Sequence, residues 1–136
     1  FDDCTPGQHR PWHDRSVQIV ALDHVQFTLP PGREVEADRF YIGVLGFDTE
    51  EKPPVLAARG GRWYRSGAVR FHLGADTDFR PATRAHPAFV VADLGAVVTT
   101  LAGQGLEVEW DENVPGVGRC YVNDPFGNRL ELIASA

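Results

Sequence analysis

The sequence predicts an α+β fold built from two copies of a βαβββ module, because the chain repeats its own pattern. His24 and His86 lie 62 residues apart (86 − 24), and His72 and Glu131 lie 59 residues apart (131 − 72). In each half, a strand-like stretch comes first, a helix-like stretch follows, and three further strand-like stretches complete the copy. Two halves with the same order of elements indicate a duplicated module.

Length, composition and net charge limit the possible folds and binding partners. The 136 residues suffice for one domain, with 43% hydrophobic and 24% charged residues. The net charge of −6 and the lack of a Lys/Arg-rich run give no support for nucleic-acid binding or for binding to an anionic membrane. No apolar stretch approaches the ~20 residues that a membrane span needs. The two cysteines, Cys4 and Cys120, form no disulfide framework, so we expect a cytoplasmic protein.

The first half begins after a polar stretch, residues 1–18, which we interpret as an N-terminal extension outside the fold. Residues 19–29 alternate like a strand, and Pro30, Pro31 and Gly32 end it. Residues 34–45 are predicted to form a helix that Gly46 ends. Three short strands are then predicted at 47–52, 62–65 and 69–73.

The second half repeats this order after a polar connector, residues 76–85. A strand is predicted at 86–91 and a helix at 94–101, and Gly105 lies 59 residues after Gly46 (105 − 46). The predicted modules therefore span 19–75 and 85–134. The last three strands are predicted at 106–110, 119–122 and 129–133.

Strand alternation predicts which side chains share a face. Side chains on a strand point to opposite faces in turn, so the apolar positions of each strand face the helices and the others face away. This places the three histidines and Glu131 on the face that the helices do not cover. By the same parity we expect Tyr64 on that face and Trp63 in the core. The side chains predicted to line this cleft and contact a small-molecule substrate are Gln26, Tyr64, Arg70 and Arg129.

Three imidazoles and one carboxylate on one face predict a metal site. Neutral imidazole and carboxylate groups suit Zn, Ni, Co, Mn or Fe(II), and an open coordination position lets a substrate with adjacent oxygens chelate the ion. The competing interpretation of Glu131 is a strand carboxylate paired with Arg70 or Arg129. The predicted ligands are His24, His72, His86 and Glu131.

Three segments of the chain resemble the vicinal oxygen chelate superfamily, which includes glyoxalase I, extradiol dioxygenases, fosfomycin-resistance enzymes and bleomycin-binding proteins. They are LDHV at 22–25, RFYIGVLGF at 39–47 and DPFGNRLEL at 124–132, and the resemblance covers about residues 19–134. It implies a cupped, half-barrel mixed sheet with helices on its outer face, with the metal in the cup. It also implies a homodimer, since members with one pair of modules commonly pair modules between chains.

The resemblance implies roles for the site residues. His24, His86 and Glu131 match the two-His-one-carboxylate set, and His72 stands where glyoxalase I-like proteins often carry a Glu ligand. Glu131 would also serve as a base in a glyoxalase-like lyase or isomerase. Two alternatives stay open. In a drug- or metabolite-binding module the cup only sequesters its ligand. In an Fe(II) extradiol-type dioxygenase, His72 is an acid–base group and Tyr121 a catalytic residue, although the expected His before Tyr121 is replaced by residues 112–114.

Overall fold

The chain folds into two mixed sheets of four strands each, as seen in a computed structural model that describes residue 16 and residues 18–136. The predicted N-terminal extension therefore lies almost wholly outside the described residues. The elements of the first half are β1 (Val25–Leu29), α1 (Glu34–Tyr41), β2 (Asp48–Glu50), α2 (Pro54–Ala57), β3 (Arg62–Ser66) and β4 (Val69–Ala75). Those of the second half are β5 (Ala88–Val91), α3 (Leu94–Gly103), β6 (Glu109–Trp110), β7 (Arg119–Asn123) and β8 (Arg129–Ala134).

The two sheets have the same topology. The first has the order β1-β4-β3-β2 and the second has the order β5-β8-β7-β6. In each, the opening strand runs parallel to the last strand of its half, and the remaining neighbours are antiparallel. The predicted α+β fold with two βαβββ modules is confirmed, and each module forms its own open four-stranded sheet.

Local sequence explains the two longer helices. Glu34 and Glu36 place negative charge in the first turn of α1, where the helix dipole favours it, and the buried Phe40 and Tyr41 supply its core face. Asp93 caps α3, because its side chain accepts a hydrogen bond from the backbone N–H of Ala96 at 3.0 Å.

Several boundaries differ from the prediction. The strand predicted at 19–29 begins only at Val25, and the helix predicted at 34–45 ends at Tyr41 and continues as turns. A short helix, α2, was not predicted; it follows Pro53 and begins at Pro54, where the fixed φ of proline suits a first helical turn. The strand predicted at 106–110 is reduced to two residues.

The two halves share one hydrophobic core. The Phe89 ring of β5 lies with its centroid 5.6 Å from those of both Phe47 and Phe71. A buried polar contact joins the halves elsewhere, since the Tyr41 hydroxyl donates to Asp124 Oδ2 at 2.7 Å. No helix among the described residues has both the length and the apolar character to cross a bilayer.

Candidate metal and substrate site

The pairing of the first sheet determines which side chains meet at its open face. His72 of β4 lies opposite Gln26 of β1 and opposite Trp63 of β3. Residues opposite each other in a ladder share a face, and His24, two residues before Gln26, has the same parity. The first sheet therefore presents two predicted ligands together with Gln26 and an indole ring.

These rings form a stack. The His72 ring lies 4.0 Å from that of His24 and 4.5 Å from that of Trp63, centroid to centroid, with interplanar angles of 19° and 6°. His72 is only 5% exposed, and its Nε2 is buried without a hydrogen-bond partner. Burial, with a smaller effect from His24, lowers the pKa of His72. The His72 ring is therefore neutral at neutral pH, which is the form that binds a cation.

Asp23 determines which nitrogen of His24 is free. The Asp23 carboxylate lies 2.9 Å from Nδ1 of His24, and this hydrogen bond lowers the pKa of Asp23. An ionised carboxylate only accepts, so the proton is on Nδ1 and Nε2 keeps its lone pair. Arg70 lies 3.3 Å from Asp23 and 3.5 Å from Glu50 and links the two carboxylates. Histidines that bind metals commonly donate their second N–H to such a partner.

The second sheet holds the other two predicted ligands. Nδ1 of His86 lies 2.7 Å from the carbonyl oxygen of Arg84, so Nδ1 carries a proton, and Nε2 lies 3.0 Å from Oε1 of Glu131. Two acceptors at this distance require a proton or a cation between them. His86 and Glu131 thus present a nitrogen and an oxygen to one point.

Arg119 holds the other oxygen of Glu131. Its Nη2 lies 3.1 Å from Glu131 Oε2 and 3.3 Å from Asp111 Oδ2, and it donates to the Tyr121 hydroxyl at 3.0 Å. The Tyr121 hydroxyl in turn donates to Asp111, and the Arg129 guanidinium lies 4.0 Å from the centre of the Tyr121 ring. Glu131 is therefore paired with Arg119, whereas the sequence had left Arg70 and Arg129 as its alternatives.

The predicted faces of β3 are wrong. Tyr64 lies opposite Phe71, is fully buried and donates its hydroxyl to Asp38 of α1 at 2.7 Å, so it belongs to the core and not to the cleft. Trp63, which parity assigned to the core, lies on the open face. The strand has four polar or aromatic side chains in a row (RWYR), so its sequence has no apolar alternation from which to infer the face.

The structure brings the predicted ligands together in two pairs and not in one cluster. In the part of the chain that the structure describes, no three His, Cys, Asp or Glu side chains lie close enough to share a metal ion. The sequence predicted that all four converge at one point and left open whether two chains share the site; within the described part of one chain this convergence is not found. We call His24 with His72 the first half-site and His86 with Glu131 the second half-site.

The donor chemistry of the half-sites nevertheless fits a divalent cation. His24 and His86 each have Nδ1 occupied by an oxygen acceptor, and His72 has a buried Nε2 with no partner. A buried nitrogen without a partner costs about 1–3 kcal/mol unless something binds it. Three nitrogens and a carboxylate oxygen form a set that suits borderline divalent metals.

Three residues of the site were not among the predicted ligands or catalytic residues. Asp23 directly precedes His24, and a carboxylate beside a candidate ligand is a signal that the sequence does contain. Arg119 shares the parity of Tyr121 and Glu131 on paired strands, which places it on the same face. Trp63 could be found only from its register against His72.

Comparison with known proteins agrees with this fold. Residues 21–132 match the family profile described as the glyoxalase/bleomycin resistance protein/dioxygenase superfamily. The chain belongs to this superfamily. A glyoxalase family protein from Bacillus anthracis is 42% identical, with a TM-score of 0.83, and the match covers 88% of this chain and 98% of that one.

Two further solved structures share the fold at lower identity. FosX, a fosfomycin resistance protein from Listeria monocytogenes, has a TM-score of 0.70 at 14% identity, with 88% of this chain and 96% of that one covered. Lactoylglutathione lyase from Agrobacterium tumefaciens has a TM-score of 0.63 at 19% identity, with 85% and 93% covered. No protein of curated function matches the sequence.

Proposed function

We propose that this protein is a metal-dependent, glyoxalase-like enzyme of the lyase or isomerase type, acting on a small substrate with adjacent oxygens. The ligands would be His24, His72, His86 and Glu131. One observation supports this most directly: Nε2 of His72 is buried without a hydrogen-bond partner, and Asp23 holds Nδ1 of His24, so both imidazoles of the first half-site can offer Nε2 to a cation. The named functions of relatives, lactoylglutathione lyase and fosfomycin resistance, fit such a substrate class.

We further propose that the site forms between two copies of the chain. Each chain carries a half-site on each of its two sheets, and neither half-site offers enough ligands for a tetrahedral site. In a symmetric homodimer, the first half-site of one chain meets the second half-site of its partner, and two equal sites result. The superfamily resemblance, in which modules pair between chains, supports the same arrangement.

The residues around the proposed cation have different roles in the proposed reaction. When bound, the cation polarises the substrate oxygens and stabilises negative charge that develops on them. In this proposal Glu131 takes a proton from the carbon beside a substrate carbonyl and returns it, as a general base and then acid. Arg119 orients Glu131 by holding Oε2, so that Oε1 faces His86. Trp63 packs on His72 and excludes water from its ring.

The test combines metal content with turnover. We expect protein purified without chelator to hold about one divalent ion per chain, and His24→Ala, His72→Ala, His86→Ala and Glu131→Ala each to lose it. Asp48→Ala, an exposed carboxylate outside both half-sites, is the control. Glu131→Gln should abolish turnover of hemithioacetals or epoxides. A metal-free native protein whose four variants bind Zn²⁺ and Co²⁺ as the wild type does would reject the proposal.

A second candidate function is non-catalytic binding of a drug or metabolite. It is favoured by the pairing of Glu131 with both His86 and Arg119, which satisfies the carboxylate without a metal. Ligand binding that is unchanged in Glu131→Ala, without turnover, would support this candidate. An Fe(II) extradiol-type dioxygenase is a further alternative, and oxygen uptake with catechols in the presence of Fe(II) would support it.

A further inference from the structure

We propose that the cavity beside the first half-site holds the body of the substrate, and that the substrate is an elongated organic anion with an apolar, planar middle. This inference rests on the proposed function for the oxygenated end of the molecule, which would bind at His24 and His72. The cavity then determines what lies beyond that end. The volume, the apolar surface and the charges of its lining residues each restrict what can bind there.

The cavity has room for more than a small head group. Its volume is about 820 Å³, within the range of pockets that bury drug-sized ligands. It begins at His24 and His72 and extends under the segment from β2 through α2 to β3. All of its lining residues belong to the first half of the chain. A substrate of only three or four heavy atoms would leave most of this volume to water.

One wall of the cavity is apolar and rigid. Trp63, Pro53, Pro54 and Leu56 line it. The two prolines restrict the backbone that enters α2, and the stack on His72 fixes the indole ring. Rigid aromatic and proline surfaces favour flat apolar groups, because little side-chain entropy is lost when such a group binds. The middle of the substrate should therefore be apolar and planar.

The charges of the cavity leave one cation without a partner. The carboxylates of Asp23 and Glu50 pair with Arg70, and Glu50 also lies 3.2 Å from Arg65. These two carboxylates and two guanidinium groups balance. Lys52 donates to the carbonyl oxygen of Gly60 and faces the cavity together with Glu51.

Arg59 is the remaining cation. It lines the cavity and is exposed, and its side chain makes no hydrogen bond or ion pair within the described residues. Over the lining residues the charges cancel, with Asp23, Glu50 and Glu51 against Lys52, Arg59 and Arg70, and Lys52 also has Glu34 near it; Arg59 is the lining cation whose guanidinium keeps all of its donors free. A guanidinium with free donors at the end of an apolar slot suits a carboxylate, sulfonate or phosphate group.

Two dyes that differ in one group test this inference. Anilinonaphthalenesulfonate is an aromatic anion with a flat naphthalene ring, and phenylnaphthylamine is the same scaffold without the sulfonate. We expect metal-free wild-type protein to bind the anion more tightly. Arg59→Ala should weaken binding of the anion about threefold and Arg59→Glu about tenfold, while the neutral dye is unaffected. Trp63→Ala should weaken both dyes about fivefold.

Controls separate this site from general effects. Arg80→Glu makes the same change of charge at an exposed arginine that does not line the cavity, and it should leave both affinities unchanged. Val90→Asp alters a second, more apolar cavity between the two halves. Dye binding that responds to Val90→Asp, but to neither Arg59→Glu nor Trp63→Ala, would overturn the proposal.

The dye experiment tests the cavity proposal separately from the proposed function. Because the titrations use metal-free protein, normal dye selectivity with no cation binding would reject the enzyme proposal alone. Normal cation binding with dyes indifferent to Arg59→Glu and Trp63→Ala would reject the cavity proposal alone.

Discussion

The chemistry of the candidate site depends on which nitrogen each histidine leaves free. A carboxylate or carbonyl oxygen beside Nδ1 fixes the proton there and directs the lone pair of Nε2 outward. His24 has Asp23 in this position, and His86 has the carbonyl oxygen of Arg84. The acceptors differ, but in both histidines, each of which lies just before the opening strand of its half, an oxygen atom holds Nδ1.

Asp23 should therefore strengthen cation binding without contacting the cation. We expect Asp23→Ala to weaken binding of Zn²⁺ or Co²⁺ about tenfold to a hundredfold, because the His24 ring loses its orientation and tautomer. Isothermal titration calorimetry measures the change, and Asp48→Ala is the matched control. Equal affinities for wild type and Asp23→Ala would show that this hydrogen bond has no part in metal binding.

Arg119 should be important for the second half-site. Without its guanidinium, the nearly buried carboxylates of Asp111 and Glu131 would lose their shared counter-charge. We expect Arg119→Met to unfold at a lower urea concentration than the wild type and to change the visible spectrum of bound Co²⁺. Arg129→Met is the control, since Arg129 lies over the Tyr121 ring and does not contact Glu131. It should change the urea midpoint and the Co²⁺ spectrum much less than Arg119→Met does.

Residue positions could be predicted from the sequence where a strand alternates cleanly. The parity of Val69 to Leu73 places His72 on the open face, and the structure agrees. The same reasoning failed for Trp63 and Tyr64, because β3 has no apolar alternation and its register against β4 decides the faces. The sequence of a strand predicts which side chains face the core only where apolar and polar residues alternate.

At the scale of elements, one buried contact should hold the halves of the chain together. Tyr41 of α1 donates to Asp124 in the turn between β7 and β8, and Asn128 from the same turn donates to the carbonyl oxygen of Thr28 in β1 at 2.9 Å. Burial raises the pKa of Asp124, and the hydrogen bonds that it accepts oppose this effect. The DPFGN turn is thus an anchor for the first module as well as a turn.

This anchor predicts unequal effects for two similar substitutions. Tyr41→Phe should lower the free energy of unfolding by about 2 kcal/mol, since a buried carboxylate loses a hydrogen bond. Tyr64→Phe should cost only about 1 kcal/mol, because the Asp38 carboxylate is partly exposed and water can replace the lost hydrogen bond. Urea denaturation of both variants measures the difference. Equal losses would mean that the contact between halves is no stronger than the one within α1 and β3.

Element order could be predicted from the sequence more fully than element length. The repeat of strand, helix and glycine specified the βαβββ order twice, and Gly46 and Gly105 have positive φ of 76° and 74° in both halves. The lengths of β1 and β6 depend on whether a neighbouring strand is present to pair with them. The local sequence pattern does not indicate where such a neighbour lies.

At the scale of the whole molecule, the duplicated sequence gave the fold but not the assembly of the site. The four candidate side chains were identified from their spacing, and the face of His72 from strand parity. The division of the four into two half-sites was not predictable, because contacts such as Phe89 with Phe47 decide how the sheets pack, and these residues lie far apart in the sequence. The proposed dimer explains why the residues that the structure describes in each chain carry two pairs and no complete cluster.

Light scattering tests the assembly that this account requires. We expect a dimer at micromolar concentration, and we expect cation binding to favour the dimer because both chains contribute ligands. The protein with both half-sites replaced by alanine is the comparison. A monomer that binds one cation at full affinity would contradict the shared site.

The most direct measurement uses two different chains in one dimer. One chain carries His24→Ala and His72→Ala, the other carries His86→Ala and Glu131→Ala, and two affinity tags isolate the mixed dimer. A site shared between chains predicts that neither parent binds Co²⁺ and that the mixed dimer binds one ion, since one of its two sites keeps all four ligands. A mixed dimer that binds no Co²⁺, beside a wild-type dimer that binds two ions, would contradict the account.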